Sequence, residues 1–164
     1  MSLYLILRLL HISAVIVFVG GLFARQVVRS LISRAQVVSA IATLTEAAGR
    51  VERWMVIPGN ILAIVFGLIL ALATRAPILG ALQGSQANWL LVSIVLLAVL
   101  FPLVPIVFLP RGKIFEASLQ QAVASGRVTP ELRERMNDPV VRWAHTAEMV
   151  GVILIVFLMV VKPF

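Results

Sequence analysis

Apolar residues gather along the chain in four long stretches: Leu3 to Ala24, Trp54 to Thr74, Trp89 to Leu109 and Val140 to Val161. Each reaches the roughly 20 residues that an α-helix needs to cross the hydrocarbon core of a bilayer. Lipid offers no hydrogen bonds to an open backbone, so each stretch predicts a helix. The set predicts an all-α, four-helix transmembrane bundle, a single integral membrane domain over residues 1–164. The first stretch has no basic residues ahead of its apolar run and is longer than a signal-peptide core, which predicts a retained helix.

Two polar stretches, Arg25 to Arg53 and Pro110 to Arg142, alternate with these spans. In the first, Val37, Val38, Ile41, Leu44 and Ala48 recur at helical spacing. In the second, Ile114, Leu119 and Val123 do the same up to Gly126, and Thr129-Pro130-Glu131 reads as an N-cap, a first-position proline and an acidic first turn. Both patterns predict short amphipathic interfacial helices. The remaining connection, Arg75 to Asn88, is short and rich in Gly and Gln, too small for a binding domain. Pro58, Pro102 and Pro105 fall inside spans and predict bends that free backbone carbonyls.

Composition narrows the class. Of 164 residues, 61% are hydrophobic and 13% charged, which excludes an ordinary soluble domain. The net charge of +7 comes from 14 Lys and Arg against 7 Asp and Glu. In a membrane chain such an excess sets topology and meets anionic headgroups, and it predicts no nucleic-acid partner. Eleven of the 14 basic residues lie in the two polar loops and three, Arg8, Arg75 and Lys162, on the side of the termini. The positive-inside rule then predicts a bacterial-type inner membrane with both termini outside the cytoplasm. With no cysteine, thiolate metal sites, disulfides and cysteine nucleophiles are excluded.

Ionisable groups inside a span are costly and mark candidate sites. On the first helix Tyr4, Arg8, His11, Val15, Phe18 and Leu22 share one face. On the fourth, Arg142, His145, Met149, Val152 and Val156 share another, with Glu148 and Met159 at its edge. The helices run antiparallel, so the two histidines belong to opposite halves of the membrane and cannot ligate one haem. His11 lies level with Met159 and Lys162. That suits a haem b: His11 as ligand, Met159 as second ligand, and Arg8, Arg75 or Lys162 on the propionates. A homodimer would instead supply His11 twice. The competing structural reading has His11 bonding a neighbouring carbonyl while Arg8 snorkels to the surface. For the other end the expectation is a buried structural ion pair of Glu148 with Arg53, hydrogen-bonded to His145, ahead of a proton relay or quinone site.

The segments Leu9-Leu10-His11-Ile12, Gly20-Gly21-Leu22-Phe23, Arg53-Trp54-Met55-Val56-Ile57-Pro58, Asn88-Trp89-Leu90 and Met159-Val160-Val161-Lys162-Pro163-Phe164 resemble the four-helix group around copper-resistance protein CopD and HemJ-type protoporphyrinogen oxidase. The match looks closest to the predicted integral membrane proteins of unknown function within that group. The resemblance implies a four-helix fold, and for His11 an association with haem b. The HemJ-type enzymes carry a lysine, and often a histidine, on the third helix, where this chain has Leu90, Val92 and Ser93. Two main readings follow: a haem- or porphyrin-associated redox protein, or a cofactor-free scaffold or accessory subunit of a membrane complex. A small transporter ranks third, since no midplane charge marks a substrate path.

Overall fold

The computed structural model describes residues 3–164 and among them contains helices and no strands. The first helix, α1 (Leu3–Arg34), runs ten residues past the end of its apolar span. After a tight turn, α2 (Val38–Val51) continues through a π-helical segment, Glu52–Val56, into α3 (Ile57–Ala73). A 3-10 turn at Gly80–Gln83 leads to α4 (Trp89–Leu100), and a second π-helical segment, Val104–Phe108, joins it to α5 (Leu109–Ser125). The short α6 (Pro130–Met136) precedes α7 (Pro139–Val161). Four helical runs, Leu3–Arg34, Val38–Ala73, Trp89–Ser125 and Pro130–Val161, are long and apolar enough to cross a membrane.

Prolines place both π segments. Pro58 and Pro105 lack the N–H of a regular α-turn, and the helix accommodates the missing bond by widening next to each of them. The turn at Phe101-Pro102 ends α4 for the same reason.

The four spans pack as two pairs, α1 with α3 and α4 with α7. Small residues set the first pair. Gly59, Ala63, Gly67 and Ala71 recur every fourth residue along α3, so α1 approaches almost backbone to backbone. A Cβ added at Gly59 would stand 2.7 Å from the Phe18 backbone nitrogen, and one at Gly21 would stand 2.9 Å from the Met55 Cβ. In the second pair Leu100 fills the space left by Gly151, and the N–H groups of Asn88 and Trp89 donate to the Phe164 carbonyl at 3.1 and 3.2 Å. Leu22, Val56 and Val152, with Leu100 and Met149 against them, join the pairs.

The two polar loops are mostly helical, as their periodicity predicts, and their helices also pack on one another. Ile32, Val38, Ile41, Leu119, Ala122, Leu132 and Met136 bury one another in a second core built from the end of α1 with α2, α5 and α6. Their apolar faces are spent on this helical cap. Val37, Ile114 and Val123, which belong to the same sequence patterns, stay exposed outside it. The cap is pinned by Arg133, which donates to the Ala35 carbonyl at 3.2 Å and to Gln36 Oε1 at 2.7 Å. Thr129 caps α6 by accepting from the Leu132 N–H at 3.2 Å, as the Thr-Pro-Glu signature predicts.

Candidate functional site

Two places bring ionisable side chains into the bundle. The first is at the end nearest the cap. Arg25, 9% exposed, comes from α1, and its guanidinium forks between two carboxylates: Nη1 donates to Glu52 Oε2 at 2.9 Å, and Nη2 to Glu148 Oε2. Glu52 opens the first π segment. His145, 7% exposed, lies one turn before Glu148 on α7, and its Nδ1–H donates to Glu148 Oε2 at 3.3 Å. Phe108, the last residue of the second π segment, stacks on the His145 ring with centroids 4.3 Å apart and lies 5.9 Å from the Arg25 guanidinium carbon. Both departures from α-helical geometry therefore deliver a side chain to this one cluster. Arg29 stands one turn beyond Arg25, half-buried.

The cation that meets Glu148 is Arg25 rather than Arg53. Arg53 is exposed and forms no ion pair among the described residues. The wide turn of the π segment explains the exchange. Five residues per hydrogen-bonded ring in place of four rotate the following side chains relative to an ordinary helix. Glu52 faces inward, while Arg53 and Trp54 point away.

Outside the span, Asp138 caps α7. Its Oδ1 accepts from the N–H groups of Val140 at 2.9 Å and Val141 at 3.4 Å, and Oδ2 accepts from Arg111. Burial works against its ionisation, but the Arg111 guanidinium and the two backbone donors outweigh it and hold the carboxyl below the usual carboxylate range. The stabilisation is therefore present above the unfolded pKa and disappears as pH falls through the lower folded value. Asp138→Ala is expected to cost about 1 kcal/mol near neutral pH through loss of the cap. The gap in thermal midpoint between wild type and variant should shrink on acidification below about pH 4, and a constant gap would refute the assignment.

The second place is the α1–α3 seam. His11 Nδ1 lies 2.9 Å from the Ala63 carbonyl oxygen. A carbonyl only accepts, so Nδ1 carries the proton toward Ala63, which leaves Nε2 as the other ring nitrogen. The ring occupies the recess that Gly67 leaves: a Cβ there would stand 2.9 Å from His11 Cε1. Of the other residues on this helix face or opposite it, Arg8 is exposed and Met159 half-buried. Lys162 holds its ammonium 4.9 Å from the centroid of the Trp89 ring. With Trp143 exposed at the other end of α7, this pair brackets a rise of about 28 Å, close to the thickness of a hydrocarbon core. Among the described residues no group of three or more His, Asp or Glu side chains is placed to hold a metal ion.

The Gly67 recess and the Gly59–Phe18 contact have a signal in the sequence, the four-residue spacing of small residues in α3. Arg25 has a weaker one. It falls close to the face of α1 that carries Tyr4, His11 and Leu22, one turn past Leu22 and one residue beyond the apolar stretch.

No curated protein and no solved structure matches the chain. The profile of one family, described as predicted integral membrane protein (DUF2269), matches residues 5–163. With nearly the whole length covered and four helical runs able to cross a membrane, the chain belongs to the DUF2269 family of predicted integral membrane proteins.

Proposed function

We propose that this membrane protein is a haem b-associated redox protein of the kind its resemblance to the CopD and HemJ group implies, with His11 as axial ligand. The reading includes a bacterial-type inner membrane and termini outside the cytoplasm. The observation that supports it is the setting of His11. Histidines that ligate a metal through one ring nitrogen commonly donate the other N–H to a carbonyl, which fixes the tautomer and the ring plane. His11 does so toward Ala63, in a recess opened by Gly67, and Nε2 is left as a ligand.

The remaining residues fit in part. Counting equal numbers of residues along α1 from Arg25 and along α7 from Glu148 brings His11 level with Lys162, with Met159 one turn closer to the cap. Met159 would be the second ligand, and exposed Arg8 a propionate partner. Lys162 is already engaged with Trp89 and is the weaker partner. Haem held there would supply one-electron transfer. Porphyrinogen oxidation finds no support in the third span, where no ionisable residue lies between Trp89 and Leu109.

A second reading, a cofactor-free scaffold or accessory subunit, is favoured by a separate observation. Arg34, Lys113, Arg127 and Arg142 are exposed on the cap side and form no ion pair among the described residues, leaving a basic face available to an acidic partner.

One experiment separates the two. The protein is purified in mild detergent from cells supplied with a haem precursor, and its reduced-minus-oxidised visible spectrum is recorded. A haem protein shows a Soret band and sharp α and β bands at stoichiometric intensity. His11→Ala should abolish them, while His145→Ala keeps the colour and lowers thermal stability. Equal cofactor content in both variants and wild type would remove His11 as the ligand. A flat wild-type spectrum would refute the haem reading. The scaffold reading then predicts co-purification with a partner that is lost when Arg34, Lys113 and Arg127 are neutralised. Arg133 is kept, because it holds the cap together.

A further inference from the structure

The cluster around Arg25 sits where the two helix pairs meet, and each pair has its own means of cohesion. The α1–α3 pair closes on small residues, and α4–α7 on Leu100 against Gly151 and on the Phe164 carbonyl. Between the pairs α1 meets α7 over a short stretch only, at Leu22 and Val152 and at the Arg25–Glu148 ion pair. Exposure along one face of α1 follows the same gradient. Leu22 is 1% exposed and Arg25 is buried, His11 and Val15 are intermediate, and Arg8 and Tyr4 are exposed. Along this face the two pairs are closed near the cap and apart toward the termini.

Charge at the closed end is balanced. Around Glu148 stand Arg25 and Arg29 from α1, Glu52 from the π segment beside α3, and His145 from α7 itself; Phe108 covers the His145 ring, and the Arg111–Asp138 pair lies ten residues back along α7. Two guanidiniums meet two carboxylates, with the His145 imidazole bonded to Glu148 among them. Any added proton makes the set positive. Protonating Glu52 or Glu148 uncouples a partner from Arg25, and protonating His145 places a third cation beside Arg25 and Arg29. Where water cannot screen it, an uncompensated charge is expelled rather than tolerated.

We propose that this network is a proton-sensitive latch that holds the α1–α3 pair against the α4–α7 pair at the cap end and releases it on acidification. Its carrier is the arrangement of Arg25 between Glu52 and Glu148 at the only level where the pairs share both an apolar contact and an ion pair among the described residues. The inference is independent of the haem reading, since it uses neither His11 nor any ligand.

The absence of cysteine makes the test direct. Spin labels are placed at Leu9→Cys on α1 and Val160→Cys on α7, both exposed and near the terminal ends, in protein reconstituted into nanodiscs without haem precursor. Pulsed electron paramagnetic resonance then reads the distance between pairs. A second doubly labelled variant, Leu9→Cys with Leu72→Cys on α3, reads the distance within one pair. On acidification from about pH 7.5 to about pH 3, through and below the range where free histidine and carboxylate groups titrate, the α1–α7 distance should lengthen and broaden while the α1–α3 distance holds. Glu148→Gln at neutral pH should reproduce the acid distribution and remove the pH response. An α1–α7 distance indifferent to pH in the unsubstituted network overturns the proposal whether or not Glu148→Gln folds. So does a simultaneous change within the α1–α3 pair, which would report general unfolding.

Discussion

Replacing Gly59 with leucine is expected to separate α1 from α3 and to cost about 3 kcal/mol of stability, the upper part of the range for overpacking a close contact. The neighbour at this position is backbone: the nitrogen and Cα of Phe18 lie 2.7 and 2.9 Å from where the new Cβ would stand. A side chain can rotate away from such a collision, whereas α1 can relieve it only by moving as a whole. Gly49 supplies the control. It lies in α2 with nothing within 4 Å of an added Cβ, so Gly49→Ala should gain about 0.5–1 kcal/mol through better helix propensity. Thermal unfolding in a single detergent reads both. Shifts of the same sign would show that glycine content, rather than the α1–α3 seam, controls stability.

The second large effect concerns Arg25. Glu148→Ala removes the more enclosed of its two carboxylate partners and is expected to destabilise by about 3–5 kcal/mol, the cost of a buried charge left short of a counter-ion. The same physics predicts recovery. Taking out the whole group with Arg25→Met, Glu52→Gln and Glu148→Leu should restore most of the loss, because desolvating three charges is itself expensive. Glu52 is the more exposed of the carboxylates, with its side chain 36% accessible, so Glu52→Ala alone should cost less than Glu148→Ala. If the triple variant were as unstable as Glu148→Ala, the loss would come from packing around residue 148 rather than from charge.

Hydropathy length found the four membrane-crossing runs because a hydrocarbon core imposes a minimum apolar length. It could not find where the helices end. That limit is set by polar residues which continue a helix freely once outside lipid, as α1 does from Arg25 to Arg34. The same cut placed Arg25 at the start of a loop and left Arg53 as the apparent partner of Glu148. Regular helical counting also fails across Glu52–Val56, where the π turn changes the phase between α2 and α3. His11 was legible as an inward-facing residue on the first helix. Bonding to a carbonyl was one of its two readings, but Ala63 as the acceptor was not legible, because a backbone carbonyl leaves no mark in a sequence. The glycine opposite it does, in the four-residue rhythm from Gly59 to Ala71.

The length of α1 past its apolar span gives the molecule a mechanical property. The helix is uninterrupted from Leu3 to Arg34 and is gripped near Arg25, with Ile32 embedded in the cap core. The arm on the terminal side of that grip measures about 33 Å and the arm on the cap side about 14 Å. With α3 closed on it at Gly59 and Gly67, α1 turns about that grip together with its partner, and a sideways push at Ile32, about 10 Å from Arg25, is magnified roughly threefold at Tyr4, about 31 Å away. The helix is thus a lever: a displacement at the cap reaches the terminal ends of the bundle without any helix having to slide or unwind.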